Sequence, residues 1–378
     1  MIVRFLKEGE EEACNKFHNR LYGHRRTLSQ WRWEFVPFKF KHPPIPFAVA
    51  EDDGRIVGTQ AFIPVQMIDE DGVYWTAKSE ETLVDPAYRG RDLSVQMYQL
   101  LFDWAESNDF SCVWGFTTAT KALQRAGFVV PGVTSQLFRP FSMRSVSVLL
   151  GHEARVRRSG GANSRLKKFV VQLGCAGAQA ISGVRFAATG SGHWPRGRGG
   201  VREIRTLTSP PLESGALCER FITQWGGATI YRDSHYLQWR LFDNPWVKSI
   251  VLGAYIDGKL QGWIAFGMGD DGMACVVDLM VVADDSRLSS PDDLVQVLLA
   301  EAVLRSRAMG ATGIRAWRVN DHPVDRMLTR VARSLGFYHM KRGGPMVIQP
   351  TAGRPHRDPT DKSQEWYVTR IFTEGLLG

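Results

Sequence analysis

An internal echo constrains this chain more than any single motif does. Gln30-Trp31-Arg32 returns as Gln238-Trp239-Arg240, Asp53-Gly54 as Asp257-Gly258, Val95-Gln96 as Val295-Gln296, and Gly127-Phe128 as Gly336-Phe337. The four pairs keep their order, at offsets of 208, 204, 200 and 209 residues. Four echoes in one order imply two copies of one α/β unit, each with strands flanked by helices. In both copies apolar runs flank the Asp-Gly pair, which reads as a hairpin closed by a tight turn. The expected fold is α/β (α+β), with two mixed twisted sheets flanked by helices. Copy one spans 1–140, a basic linker with an amphipathic helix 141–204, and copy two 205–350. The last interval, 351–378, holds a polar linker and an expected terminal strand from Trp366 to Phe372.

The copies part between a strand and the helix that follows it. Copy one runs Glu80-Glu81-Thr82-Leu83-Val84, turns at Pro86, and continues Tyr88-Arg89-Gly90-Arg91-Asp92-Leu93-Ser94 into an apolar helix. A helix N-terminus leaves N–H groups free and carries partial positive charge, which suits a phosphate. Gly90 admits close approach of the main chain, and Arg89 and Arg91 add charged donors. Copy two places Asp284, Asp285, Asp292 and Asp293 at the corresponding approach, where a pyrophosphate is repelled. Copy one is therefore the expected anion holder, and copy two a degenerate domain that shapes an acceptor site.

Tyr88-Arg89-Gly90-Arg91, with Ser94 closing the loop, resembles the acyl-CoA pyrophosphate loop of the GNAT superfamily of N-acyltransferases. The run from Thr117 to Gly127-Phe128 resembles that family's helix along the pantetheine arm. The duplication, with Asp233 to Arg240, is similar to tandem GNAT proteins, including the GNAT-like enzymes of polysaccharide biosynthesis and Fem-type aminoacyltransferases. The resemblance implies acetyl-CoA or another acyl-CoA as co-substrate, held by Leu83, Val84, Arg89, Gly90, Arg91, Asp92, Leu93, Ser94 and Thr117. It also implies an oxyanion N–H near Leu83 and Val84. The chain departs from the pattern twice: Asp92 stands where the central Gly is expected, and Leu123 where the family carries its Tyr general acid. Asp92 has an alternative use as N-cap of the helix. The leading expectation is an acyl-CoA-dependent N-acyltransferase. A Fem-type enzyme using aminoacyl-tRNA and a catalytically inactive binding module are the alternatives.

Transfer of an acyl group to an amine needs a proton acceptor. Glu80 and Glu81 are the nearest carboxylates, and strict strand alternation lets only one of them reach an acceptor. Tyr98 and His235 are further candidates. The net charge of +8 is uneven: residues 139–205 hold thirteen Lys or Arg against Glu153 and Glu203. That bias points to an anionic partner, either a nucleotide-sugar or lipid-linked amine acceptor or a peripheral anionic surface. Nucleic acid is not expected. Between 166 and 184 the apolar residues Leu166, Phe169, Val170, Leu173, Ala176, Ala180, Ile181 and Val184 follow helical spacing. The expectation is that this helix packs on one of the copies, with an anionic membrane surface as the alternative.

Five scattered cysteines read as buried free thiols, with no metal pairing. The N-terminus lacks the apolar core of a signal peptide, and no run approaches the roughly 18 apolar residues of a membrane span. A cytoplasmic protein is expected. Gly267 to Gly272 satisfies Gly-x-Gly-x-x-Gly, yet a strand rather than a helix follows, so it reads as a hairpin turn.

Overall fold

In the computed structural model the described residues are 1–23, 25–37, 45–117, 120–125, 127–143, 145–146, 164–189, 202–283, 290–319, 322–340, 345–350 and 365–373. Copy one opens with β1 (Ile2–Phe5), α1 (Glu11–Tyr22) and α2 (Leu28–Phe35). It continues with β2 (Phe47–Asp52), β3 (Arg55–Asp69), β4 (Gly72–Val84), α3 (Leu93–Ser107), β5 (Cys112–Phe116), α4 (Thr120–Arg125), β6 (Val129–Val133) and β7 (Ser135–Pro140). After α5 (Ser164–Thr189) the plan repeats as β8 (Arg202–Leu207), α6 (Ser214–Trp225), β9 (Thr229–Ile230), α7 (Ser234–Leu237), β10 (Ile250–Ile256), β11 (Lys259–Met268) and β12 (Ala274–Val281). It closes with α8 (Pro291–Ala308), β13 (Gly313–Arg318), α9 (Pro323–Ser334), β14 (Tyr338–Met340) and β15 (Pro345–Pro350).

Both Asp-Gly hairpins form as expected. Asp53 and Gly54 have φ of 47° and 74°, and Asp257 and Gly258 have 50° and 79°. Positive φ at both turn positions matches the twist of the flanking strands. The Gly269–Gly272 segment is likewise a turn between β11 and β12, closed by Gly269 N–H on the Met273 carbonyl at 2.8 Å.

The sheets do not follow the chain order at their far ends. Sheet one runs β1-β2-β3-β4-β5-β15-β6, with β9 added to β3, and sheet two runs β14-β7-β13-β12-β11-β10-β8. Each copy therefore lends one strand to the other. β15 lies between β5 and β6 and is antiparallel to both. β7 lies between β13 and β14, again antiparallel to both. Among the described strands, β4–β5 and β12–β13 are the parallel pairs.

One face of sheet one packs on α3 through Phe62, Met97, Tyr98, Leu101, Phe102 and Phe128. The other face shares one continuous core with sheet two, from Trp31, Phe47 and Trp114 across to Trp239, Trp263 and Phe372. At the seam the Trp33 indole donates to the Trp239 carbonyl at 3.0 Å, and the Trp239 indole donates back to the Trp33 carbonyl at 2.8 Å. This reciprocity makes Trp33, rather than Trp31, the spatial counterpart of Trp239, 206 positions away.

One expectation is corrected here. Residues 366–372 do not form a strand: Trp366 makes a single bridge to Ala228, and Arg370–Phe372 is a 3₁₀ turn. This segment is instead buried along β12, where Thr369 donates to Asp278 at 2.6 Å and the Tyr367 carbonyl accepts from Thr229 at 2.7 Å. The α5 helix packs on copy two as expected and is continuous despite its glycines. Its side chains are described from Ala176 onward, and the packed stripe is Ala178, Ser182, Phe186 and Thr189. Tyr338 donates to the Ala178 carbonyl at 2.6 Å, and the Arg139 guanidinium lies 4.4 Å from the Phe186 ring centre. Gly336 is required here, since a Cβ would sit 2.4 Å from the Ser182 carbonyl oxygen. The apolar positions Ala180, Ile181 and Val184 face outward.

Candidate active site

The loop between β4 and α3 is built to leave donors open. Asp85 caps the Pro86–Tyr88 turn by accepting from Ala87 N–H at 3.1 Å. Tyr88 donates to Asp52 at 2.8 Å, and the Arg91 guanidinium lies 4.9 Å from the Tyr88 ring centre. Arg89 donates weakly to the Val84 carbonyl at 3.4 Å. Both arginines are exposed, and among the described residues neither pairs with a carboxylate. Gly90 has φ of 81°, the conformation that exempts only glycine from strain.

Asp92 also has positive φ, 53°, and its side chain makes no capping hydrogen bond to α3. The expected N-cap role is thus absent. The backbone geometry shows why the family pattern places glycine at this position. Leu93, Ser94 and Val95 are left with N–H groups that neither the helix nor a cap engages, because the first helical bond runs from Gln96 N–H to the Asp92 carbonyl.

β4 and β5 pair only at Ala77–Val113 and Lys78–Trp114. From Ser79 to Val84 the β5-facing edge of β4 has no strand partner, which opens a wedge beside Leu83 and Val84. Thr117 follows β5 at its mouth, and Thr118 and Ala119 lie outside the described residues. Leu123 is buried in α4 and packs with the α3 core, so the position of the family's Tyr holds a core side chain. Tyr98 reaches the wedge from α3 instead: its hydroxyl lies 2.7 Å from Ser79 Oγ and 3.1 Å from Thr82 Oγ1. Burial raises its pKa above the ordinary phenol value.

The alternation argument for Glu80 and Glu81 fails at a β-bulge. Ala61 pairs with Glu80 and Thr59 with Leu83, so Glu81 and Thr82 together oppose Gln60. Glu81 takes φ of 58° there. An extra residue in one strand breaks the period of two. Both glutamates consequently turn toward α1 and α2, while Ser79 and Thr82 share the Tyr98 side.

Their surroundings differ. Glu81 is buried, accepts from Arg26 at 2.7 Å and stands 3.0 Å from His18 Nδ1. Burial alone would raise its pKa, but His18 and Arg26 outweigh it and hold the carboxyl below the usual range. Glu80 is 31% exposed and ion-paired with Lys78. Burial pushes the Lys78 ammonium down to about 8 against the opposing pull of Glu80. Glu34, which accepts from Arg26 at 3.0 Å, is raised to about 7 by burial, with Arg26 opposing the shift. From copy two, Arg240 adds a buried guanidinium stacked on Trp239 and Trp33, donating to the Ile371 carbonyl at 3.2 Å.

Copy two repeats the framework of this face. Arg232 occupies the place of Arg26 and binds Asp278 at 3.0 Å, as Arg26 binds Glu81. The α8 N-terminus departs from that of α3. Ser290 and Asp293 form a reciprocal capping box around Pro291, so the Asp293 amide is engaged from within and Pro291 offers none. Asp292 and Asp293 add negative charge there, and Asp284 and Asp285 lie outside the described residues. His235 belongs to copy two's α7 and not to the wedge. Among the described residues no group of side chains has the makeup of a metal site.

The four cysteines whose side chains are described, Cys14, Cys112, Cys218 and Cys275, are buried free thiols. No helix among the described residues is long and apolar enough to cross a membrane.

Over residues 2–130 the chain matches the family model of the acetyltransferase (GNAT) domain. No curated protein matches it. Several solved structures share its architecture. A conserved protein from Enterococcus faecalis V583, described as a probable N-acyltransferase, superposes with a TM-score of 0.59 at 8% identity, over 93% of this chain and 72% of that one. A GCN5-related N-acetyltransferase from Anabaena variabilis gives 0.57 at 11% identity, over 92% and 72%. A tandem GNAT protein from the clavulanic acid biosynthesis pathway gives 0.51 at 14% identity, over 93% and 98%. At such identities the likeness is one of fold. Residues 2–130 match the GNAT acetyltransferase domain, and the chain as a whole has the fold of a tandem GNAT protein, its second copy repeating the architecture of the first.

Proposed function

We propose that copy one is an acyl-CoA-dependent N-acyltransferase, acetyl-CoA being the simplest donor, and that it acts on an amine presented from the α1–α2 face. The observation that carries this reading is the uncapped α3 N-terminus beside two exposed arginines that, among the described residues, form no ion pair. Its free amides, Arg89 and Arg91 would hold the pyrophosphate, and Gly90 lets the main chain close on it. The bound acyl-CoA supplies the thioester. In the wedge the free edge of β4 near Leu83 and Val84 offers N–H donors to the carbonyl oxygen as it gains charge.

Glu80 is the better placed of the two glutamates to take the amine proton, directly or through water. It is partly exposed, whereas Glu81 is saturated by Arg26 and His18 and held in its weakly basic form. As the new C–N bond forms and the C–S bond breaks, the Thr82–Tyr98 hydroxyl pair is positioned to return a proton to sulfur in place of the missing Tyr at 123. The excess of positive charge over 139–205 supports an anionic acceptor, such as a nucleotide-linked or lipid-linked amine.

The test is thermal denaturation with acetyl-CoA and longer acyl-CoAs, followed by thiol release with a panel of amines. Ligand that binds the native state at about 100 times its Kd stabilises by about 2.7 kcal/mol. Glu80→Gln should keep that stabilisation while slowing turnover by about 10²-fold or more. A fully folded protein that no acyl-CoA stabilises would overturn the reading.

A further inference from the structure

We infer that α5 is a membrane-surface helix, which rests the protein on an anionic lipid bilayer. The observation is a mismatch between the helix's apolar stripe and the face it packs. β7 and β14 take Ala178, Ser182 and Phe186, and α8 and α9 take Thr189, a stripe with a serine at its centre. Ile181 and Val184, by contrast, are 52% and 70% exposed. Ala188 is exposed on the same side, and in the sequence Leu166, Val170 and Leu173 recur at the same helical spacing ahead of Ile181. Exposed apolar side chains on a helix whose sequence repeats them at that spacing call for another apolar medium.

Charge selects the medium. α5 carries Arg165, Lys167, Lys168 and Arg185 and no acidic residue. It lies within the stretch of 139–205 where thirteen basic residues meet two acidic ones. A second copy of the same helix would bring like charges together, and an acidic lipid surface would neutralise them. A helix with a basic polar face and an apolar stripe sinks its stripe to the level of the acyl-chain boundary while its cations meet the headgroups. No membrane crossing is involved. The inference stands apart from the acyl-CoA reading, since α5 packs on copy two and not on the loop before α3.

The experiment is sedimentation of the full chain with vesicles of phosphatidylcholine alone and of phosphatidylcholine mixed with phosphatidylglycerol. Binding is expected to the mixed vesicles, weakened by raised salt, and nearly absent with phosphatidylcholine. Replacing two exposed side chains leaves the fold intact, so Ile181→Ser with Val184→Ser should keep the thermal midpoint and lower vesicle affinity about tenfold. No binding to mixed vesicles overturns the inference, as does equal binding by this double variant. A concentration-dependent dimer that the same variant abolishes would assign the face to a second copy instead.

Discussion

The N-termini of α3 and α8 occupy the same place in two copies of one fold, and they have opposite arrangements. At α8 the sequence Ser-Pro-Asp-Asp closes the helix on itself: Ser290 and Asp293 exchange hydrogen bonds and the carboxylates face the dipole. At α3 the cap residue is Asp92 in a left-handed conformation, which engages none of the helix amides. A self-capped start favours stability, typically by about 1 kcal/mol. An open start forgoes that gain and keeps its donors for a ligand. The buried Arg–carboxylate pair behind each helix is the same, Arg26–Glu81 and Arg232–Asp278, so the copies keep that pair while diverging in the loop above it.

The largest effect should come from breaking the exchange that joins the copies. A chain ended after Met340 loses β15 and the buried segment 365–373. That strips β5 and β6 of their shared partner and exposes Trp114, which packs on Phe372 at 5.2 Å. The loss exceeds the 5–15 kcal/mol by which domains of this kind are stable. No cooperative thermal transition is expected, whereas removal of residues 374–378 alone should leave one. A cooperative melt after the longer truncation would show that copy one completes its sheet alone.

Next in size is charge reversal at the open helix start. Arg89→Glu with Arg91→Glu removes charge-assisted bonds worth about 1.5–3 kcal/mol each and adds repulsion. Acetyl-CoA affinity, measured by calorimetry, should fall at least about 100-fold, with the melting temperature of the free protein nearly unchanged because both side chains are exposed. Substitutions at Asp292 should leave acetyl-CoA binding as it is. If they weaken it comparably, the contrast between the two helix starts fails.

Much of this was legible in the sequence, and the misses have physical causes. The duplication, the Asp-Gly hairpins and the Arg-Gly-Arg loop show because turns and helix starts demand particular residues. The register of the echo was misjudged, since Trp31-Arg32 matches Trp239-Arg240 in letters while Trp33 matches Trp239 in space. The aligned pair Arg26 and Arg232 went unnoticed because their partners, Glu81 and Asp278, come from distant strands. Strand exchange left no trace: β7 and β15 present the same strand pattern to either sheet. Nor did the bulge that turns Glu80 and Glu81 to one side, because a positive φ at glutamate has no sequence signal. The α5 helix packs on copy two as its apolar content implies, yet it does so through Ala178, Ser182 and Phe186 and leaves Ile181 and Val184 outside, because Arg139 donates to the Ser182 carbonyl and lies over the Phe186 ring.

A moderate effect should separate the two buried arginines. Arg26 faces Glu34 as well as Glu81, whereas copy two has Arg240 at the place of Glu34, 206 positions on. Burial raises Glu34 from 4.5 to about 7. A carboxyl whose folded pKa exceeds its unfolded one binds protons more tightly when folded. Its contribution is therefore complete below pH 4.5 and lost as pH rises through about 7. Glu34→Gln keeps the acceptor for Arg26 and removes the titration. Urea unfolding should show the variant gaining about 1–3 kcal/mol on the parent between pH 5 and pH 8. A constant difference between the two proteins across that range would mean that Glu34 titrates normally and that Arg26 is balanced as Arg232 is.

The smallest expected effect tests the residue that departs most from the family pattern. Asp92 has a left-handed φ of 53°, which costs a non-glycine residue about 1 kcal/mol, and its carboxylate is exposed beside the open amides. It returns nothing as a cap. Asp92→Gly therefore relieves strain and removes a negative charge from the approach to α3. The glycine's extra freedom in the unfolded chain offsets part of the gain. Stability should change by less than about 1 kcal/mol, while acetyl-CoA affinity rises about three- to tenfold, more at low salt than at high. A fall in affinity would mean that Asp92 serves the ligand, and the open start of α3 would then owe its function to the residue whose charge opposes it.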